Sequence, residues 1–204
     1  YSPAYGADTS VSGWMTMALK SGELAGLRVE KPAFDRINRW LDLAQDTERP
    51  FLFRYNPYAA DTPTQRHGRK PTRAMTAVGL LMRLYTGWKR DDRNMVLGAE
   101  TLSMNLPEIG TTDKPRRDTY YWYYATQVMF HMGGEHWQRW NERLHPILTK
   151  SQVQEGDLAG SWDPQLPVPD RWGTYGGRIY VTTLNLLSLE VFHRHLPIYE
   201  DTAQ

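Results

Sequence analysis

The stretch DTYYWYYATQVMFHMGGEHW, residues 118–137, decides the reading of the whole chain. Residues 120–132 are apolar or aromatic on every side, so a helix formed there has no face for water and is buried all round. Gly133-Gly134 then interrupts the pattern, and glycine just past a helix end supplies the left-handed residue that closes it. Beyond the glycines, Trp137, Trp140, Leu144, Ile147 and Leu148 recur at helical spacing, while Gln138, Arg139 and Glu142 fall on the opposite side. A buried helix, a glycine corner and an amphipathic helix make a helical hairpin.

Working outward, the same two kinds of helix alternate along the chain. Segments 11–19, 74–85 and 179–192 are apolar all round. Segment 34–44 is amphipathic, with Phe34, Ile37, Leu41 and Ala44 opposite Asp35, Arg36, Arg39 and Asp42, and 94–106 is a weaker version. Ser21-Gly22 and Thr86-Gly87 mark the other corners. The return connections, 49–65, 107–118 and 155–178, are rich in Pro, Gly and aromatics. Phe51, Phe53, Tyr55, Trp162 and Trp172 there need something to pack against, which predicts turns or short strands. The expected fold is all-α: an α/α toroid, or a partial toroid arc of helical hairpins, as one domain over residues 1–204.

Composition narrows the function. At 204 residues the chain is long enough for one continuous core. Lys+Arg of 24 against Asp+Glu of 23 leaves +1, and no basic run exceeds RHGRK at 66–70, so the footprint of a nucleic-acid binder is missing. There is no cysteine, which removes disulfides, thiolate zinc, a Cys nucleophile and a thioester. No apolar run approaches the roughly 20 residues of a membrane span, and residues 1–20 lack the pattern of a signal peptide. The start at Tyr1 rather than Met reads as a processed or excised piece of a longer chain; this leaves the compartment open, export included.

The run LTKSQVQEGDLAGSWDP, residues 148–164, resembles the QW repeat of squalene and oxidosqualene cyclases. Gln154, five residues and then Gly160-Ser161-Trp162 fits that spacing, and Gln152 fits the distance from the preceding apolar residue. WGTYGGRIYVTTLNLLSLEV, 172–191, looks like the glycine-rich start of the next buried helix. The resemblance implies a divergent member of the prenyltransferase/squalene-cyclase repeat superfamily, with Gln152, Gln154, Gly160 and Trp162 as a structural staple between helices. Gln45, followed by Phe51, Phe53 and Tyr55, departs from the pattern in lacking Gly-x-Trp.

The catalytic chemistry of that superfamily does not carry over. Cyclases use a D-x-D-D motif, and the acidic pair Asp91-Asp92 reads as a helix cap. The prenyltransferase zinc site needs a cysteine, so neither metal nor cofactor is expected. Tyr120, Tyr124, Gln127 and His131 share one helical face, the candidate ligand-binding wall. There His131 is either an acid–base group or a histidine meeting the helix terminus. His193 and His195 read as a helix stop, His67 as a loop residue, and His145 before Pro146 as a bend. Asp118, Glu135, Asp163 and Asp170 are loop carboxylates that a glycan-processing site would use in pairs. The first functional reading is a non-catalytic module binding an apolar or aromatic-stacking small molecule or a protein partner. The alternative is an isoprenoid cyclase or prenyltransferase-type enzyme, and the third a glycan-processing toroid enzyme.

Overall fold

The computed structural model describes residues 8–191, and His193 and His195 lie outside them. Among the described residues the chain is all-helical, with seven α-helices and only isolated β-bridges in its connections. It divides into two compact units, Tyr1–Leu102 and Ser103–Gln204.

In the first unit α1 (Thr9–Leu24) and α2 (Lys31–Ala44) form a hairpin, and α3 (Arg73–Tyr85) packs on both; α4 (Arg93–Ser103) follows. Asp8 starts α1 by accepting from the Val11 N–H at 2.8 Å, and Thr72 starts α3 through Met75. Every residue from Met75 to Tyr85 is buried, as an all-apolar helix requires. Buried within that helix, Arg83 donates to Asn38, Asp42 and Gln45 at 2.5 to 3.0 Å and tethers α3 to α2.

One local expectation fails here. The first corner falls at Ala25-Gly26, not Ser21-Gly22. Gly22 stays within α1, and its carbonyl accepts from Leu27 N–H, closing the helix one turn later. Asp92 stands directly before α4, its carbonyl accepting from the Val96 N–H at 3.0 Å, and its carboxylate accepts from the Lys89 N–H at 2.7 Å, bracing the turn before the helix.

In the second unit α5 (Thr119–Met132), α6 (Gly134–Ser151) and α7 (Gly173–Leu189) repeat the arrangement, with α6 and α7 each against α5. Asp118 caps α5 through Tyr121 as Asp8 caps α1. Trp140, fully buried on α6, donates its indole N–H to Thr126 of α5 at 3.0 Å and meets Tyr121 edge to face. Gly133 alone joins α5 to α6, at φ 67, ψ −164, and Gly177 repeats that geometry at a kink in α7. This region of backbone space is essentially closed to residues with a Cβ.

Candidate functional site

The residues expected to form the staple do meet. Gln152 ends α6 and bridges Trp162 in antiparallel fashion, its side-chain amide donating to the Gly160 carbonyl at 2.9 Å. Gln154 folds back on the Gln152 carbonyl. Trp162 is buried, donates its indole N–H to the Leu148 carbonyl in the last turn of α6 at 2.9 Å, and donates its backbone N–H to Thr182 Oγ1 of α7 at 3.1 Å. One residue thus satisfies a helix-end carbonyl with its side chain and ties to the next helix with its backbone.

The first unit holds the same device with a different ring. Gln45 ends α2 and bridges Phe53, whose backbone N–H donates to Thr76 Oγ1 of α3 at 3.2 Å. Phe53 is fully buried against Gly79, where an added Cβ would lie 2.2 Å from the ring. The sequence shows this copy only as a degraded repeat, Gln45 followed by Phe51, Phe53 and Tyr55, because Phe53 lacks the Gly-x-Trp signature. The signals that remained were the two Asp-Thr helix starts at 8–9 and 118–119 and the threonines eight residues after each Asp. Thr16 and Thr126 both return a hydroxyl to the carbonyl four residues earlier.

Tyr120, Tyr124, Gln127 and His131 lie along α5, and of these Tyr124, Gln127 and His131 are buried. Tyr120 and Tyr124 rings stand 5.0 Å apart. Burial pushes the Tyr124 phenol well above its ordinary value, with Tyr120 and Tyr123 adding to the effect. Tyr180 of α7, which sequence reasoning missed, is raised likewise by burial, then by Asp170 and Asp118. Both phenols therefore stay protonated across physiological pH. Asn185, one to two turns further along α7, is buried, and among the described residues neither of its amide atoms has a hydrogen-bond partner.

The loop carboxylates carry structural bonds. Asp170 accepts the backbone N–H and hydroxyl of Thr119 at 2.9 and 2.7 Å, and its other oxygen takes the Trp172 N–H. In the first unit the Arg54 and Tyr55 carbonyls receive the same two donors from Thr9, so Asp170 replaces two backbone acceptors with one side chain. Asp163 is held below its ordinary 3.8 by the Gln165 N–H, against the pull of burial, and further by Leu166 N–H and Arg178. Buried Arg117 donates to the carbonyls of Asp163, Leu166 and Val168 and organises this loop. Burial lowers its pKa, opposed by the charges of Asp170 and Asp163. Glu135 lies exposed in the first turn of α6.

A concave surface lies elsewhere, between α1 and α2. This groove of about 310 Å³ is walled by Val11, Met15 and Leu19 of α1 and by Ala33, Ile37 and Trp40 of α2, with Asp8 and Arg36 also lining it. Its lining is mostly apolar side chain, the usual chemistry of a site for apolar ligands. Among the described residues no helix is long and apolar enough to cross a membrane. Comparison with protein-family models, with curated proteins and with solved structures found no match.

Proposed function

We propose that this chain is a non-catalytic binding module built on the helical-hairpin repeat of terpenoid cyclases and prenyltransferases, and that its ligand seat is the apolar groove between α1 and α2. The observation that carries this reading is how the polar groups are spent. Asp118, Asp163 and Asp170 direct their oxygens at backbone N–H groups, Thr119 and Arg178, and Tyr124 and His131 sit in the core. Two structurally matched staples, Gln45 with Phe53 and Gln152 with Trp162, support the repeat. On this reading the hairpins continue one another as an α/α arc, and the Tyr120 face of α5 is core rather than cavity wall.

The groove fits a flexible hydrocarbon of isoprenoid size, with Arg36 placed to meet an oxygen or phosphate head. The test is a thermal-shift and Trp-fluorescence titration with farnesol, farnesyl diphosphate and a neutral oligosaccharide. Saturable stabilisation by the isoprenoids, lost in Ile37→Arg, is the expected result; at a ligand concentration 100 times Kd it reaches about 2.7 kcal/mol. Failure of both isoprenoids to stabilise the chain refutes the ligand class, and turnover of farnesyl diphosphate by mass spectrometry refutes the non-catalytic reading.

A further inference from the structure

The groove between α1 and α2 is lined by one charge of each sign, and only one of the two is uncommitted. Asp8 is buried, and its two oxygens accept from the Val11 N–H at 2.8 Å and from the Tyr55 hydroxyl at 2.9 Å. That carboxylate is taken up by the start of α1 and by Tyr55. Arg36 is exposed, and among the described residues its guanidinium makes no ion pair or hydrogen bond. Its helical neighbours three and four positions away are Ala33, Pro32, Arg39 and Trp40, so α2 itself offers it no acid.

The neutral polar groups of the lining are uncommitted as well. Thr16 returns its hydroxyl to the Ser12 carbonyl, but among the described residues the Ser12 hydroxyl has no partner of its own. Nor, among those residues, does the indole N–H of Trp40, one turn beyond Arg36 on the same face of α2. A guanidinium and an indole N–H can only donate, so the groove calls for an acceptor.

Charge and shape then narrow the acceptor. A single guanidinium balances a single negative charge, whereas a diphosphate brings more than one into a groove that already holds the Asp8 carboxylate. The planar guanidinium also presents paired N–H groups that match the two oxygens of a carboxylate. We infer that the groove takes a monocarboxylic acid with a flexible hydrocarbon tail of isoprenoid size. Its head lies on Arg36, and its tail lies over Val11, Met15, Leu19 and Ile37. This rests on the groove reading and adds the head group, with Arg36 as the residue that selects it.

The test holds the tail constant and varies the head. Farnesoic acid, farnesol, farnesyl diphosphate and farnesylamine are titrated into the intact chain by quenching of tryptophan fluorescence, each below its self-association limit. Farnesoic acid is expected to bind at least about tenfold more tightly than the other three, with the advantage over farnesol shrinking as salt is raised. Arg36→Gln should bring farnesoic acid down to the level of farnesol and leave farnesol within about twofold of its parent value. Arg36 is exposed, and circular dichroism checks that the variant keeps its helix content. Equal binding of farnesol and farnesoic acid, or an unchanged farnesoic acid affinity in Arg36→Gln, overturns the head group while the apolar seat stands. Tightest binding by the diphosphate or the amine overturns it too. Failure of all four to bind overturns both the head group and the groove reading.

Discussion

Replacing Trp162 by phenylalanine separates the ring from its hydrogen bond, and the first unit has already made that replacement at Phe53. The indole N–H is the donor that reaches the Leu148 carbonyl at 2.9 Å, in a site where Trp162 is 1% exposed. Phenylalanine keeps most of the apolar contact but leaves that carbonyl with only the longer bond from the Ser151 hydroxyl, at 3.3 Å, a loss of about 1–3 kcal/mol. The smaller ring adds a cavity term, so the total approaches the upper end of that range. Trp162→Ala removes both contributions and should cost about 3–5 kcal/mol. Urea unfolding followed by far-UV circular dichroism reads the difference as a fall in midpoint at constant slope. If Trp162→Phe stays within about 0.5 kcal/mol of the parent chain, the level of an ordinary surface change, the staple is packing alone and the helix-end bond contributes nothing.

Four further outcomes are expected. Gly79→Ala should lower stability by about 1–3 kcal/mol, because the new methyl collides with the buried Phe53 ring and must displace it; a thermal melt checks this. Asn185→Leu should raise stability by about 1 kcal/mol or more, since it removes a buried amide with no partner among the described residues; an unchanged or lower unfolding midpoint contradicts it. Asp170→Asn should destabilise by about 3–5 kcal/mol, because it weakens the bonds from Thr119 and removes the charge facing buried Arg117; chemical denaturation measures it. Asp163 has a depressed pKa in the folded chain, so its contribution is complete above its ordinary 3.8 and lost as pH falls through the lower folded value. Stability measured from pH 6 to pH 2 should therefore fall less steeply at the acid end in Asp163→Asn.

The helices and most corners were legible because hydrophobic periodicity is a local signal that burial enforces. The 120–132 segment forms α5 with one residue added at its start, and 34–44 lies within α2. The first corner was misplaced because Gly22 and Gly26 both stand near the end of α1. Composition alone does not say which one takes the left-handed turn. The Trp162 staple showed through its spacing, whereas the Phe53 staple is defined by the bond to Thr76, 23 residues away. The carboxylates were the least legible feature. Asp170 looked available for chemistry in the sequence; its occupation by Thr119, 51 residues distant, is a fact of the folded chain. Tyr180 and Asn185 escaped notice because a polar residue inside an apolar helix carries no periodic signature.

The single-residue joint at Gly133 sets rules for anyone wishing to splice this chain. With Met132 ending one helix and Gly134 opening the next, there is no slack to absorb an inserted residue or tag, and any residue other than glycine meets a forbidden backbone geometry. The exposed turn at 155–159 is different: it bulges between Gln152 and Trp162, whose pairing already closes its base. A reporter peptide or reactive cysteine belongs there, where the chain can lengthen without loosening either helix it connects.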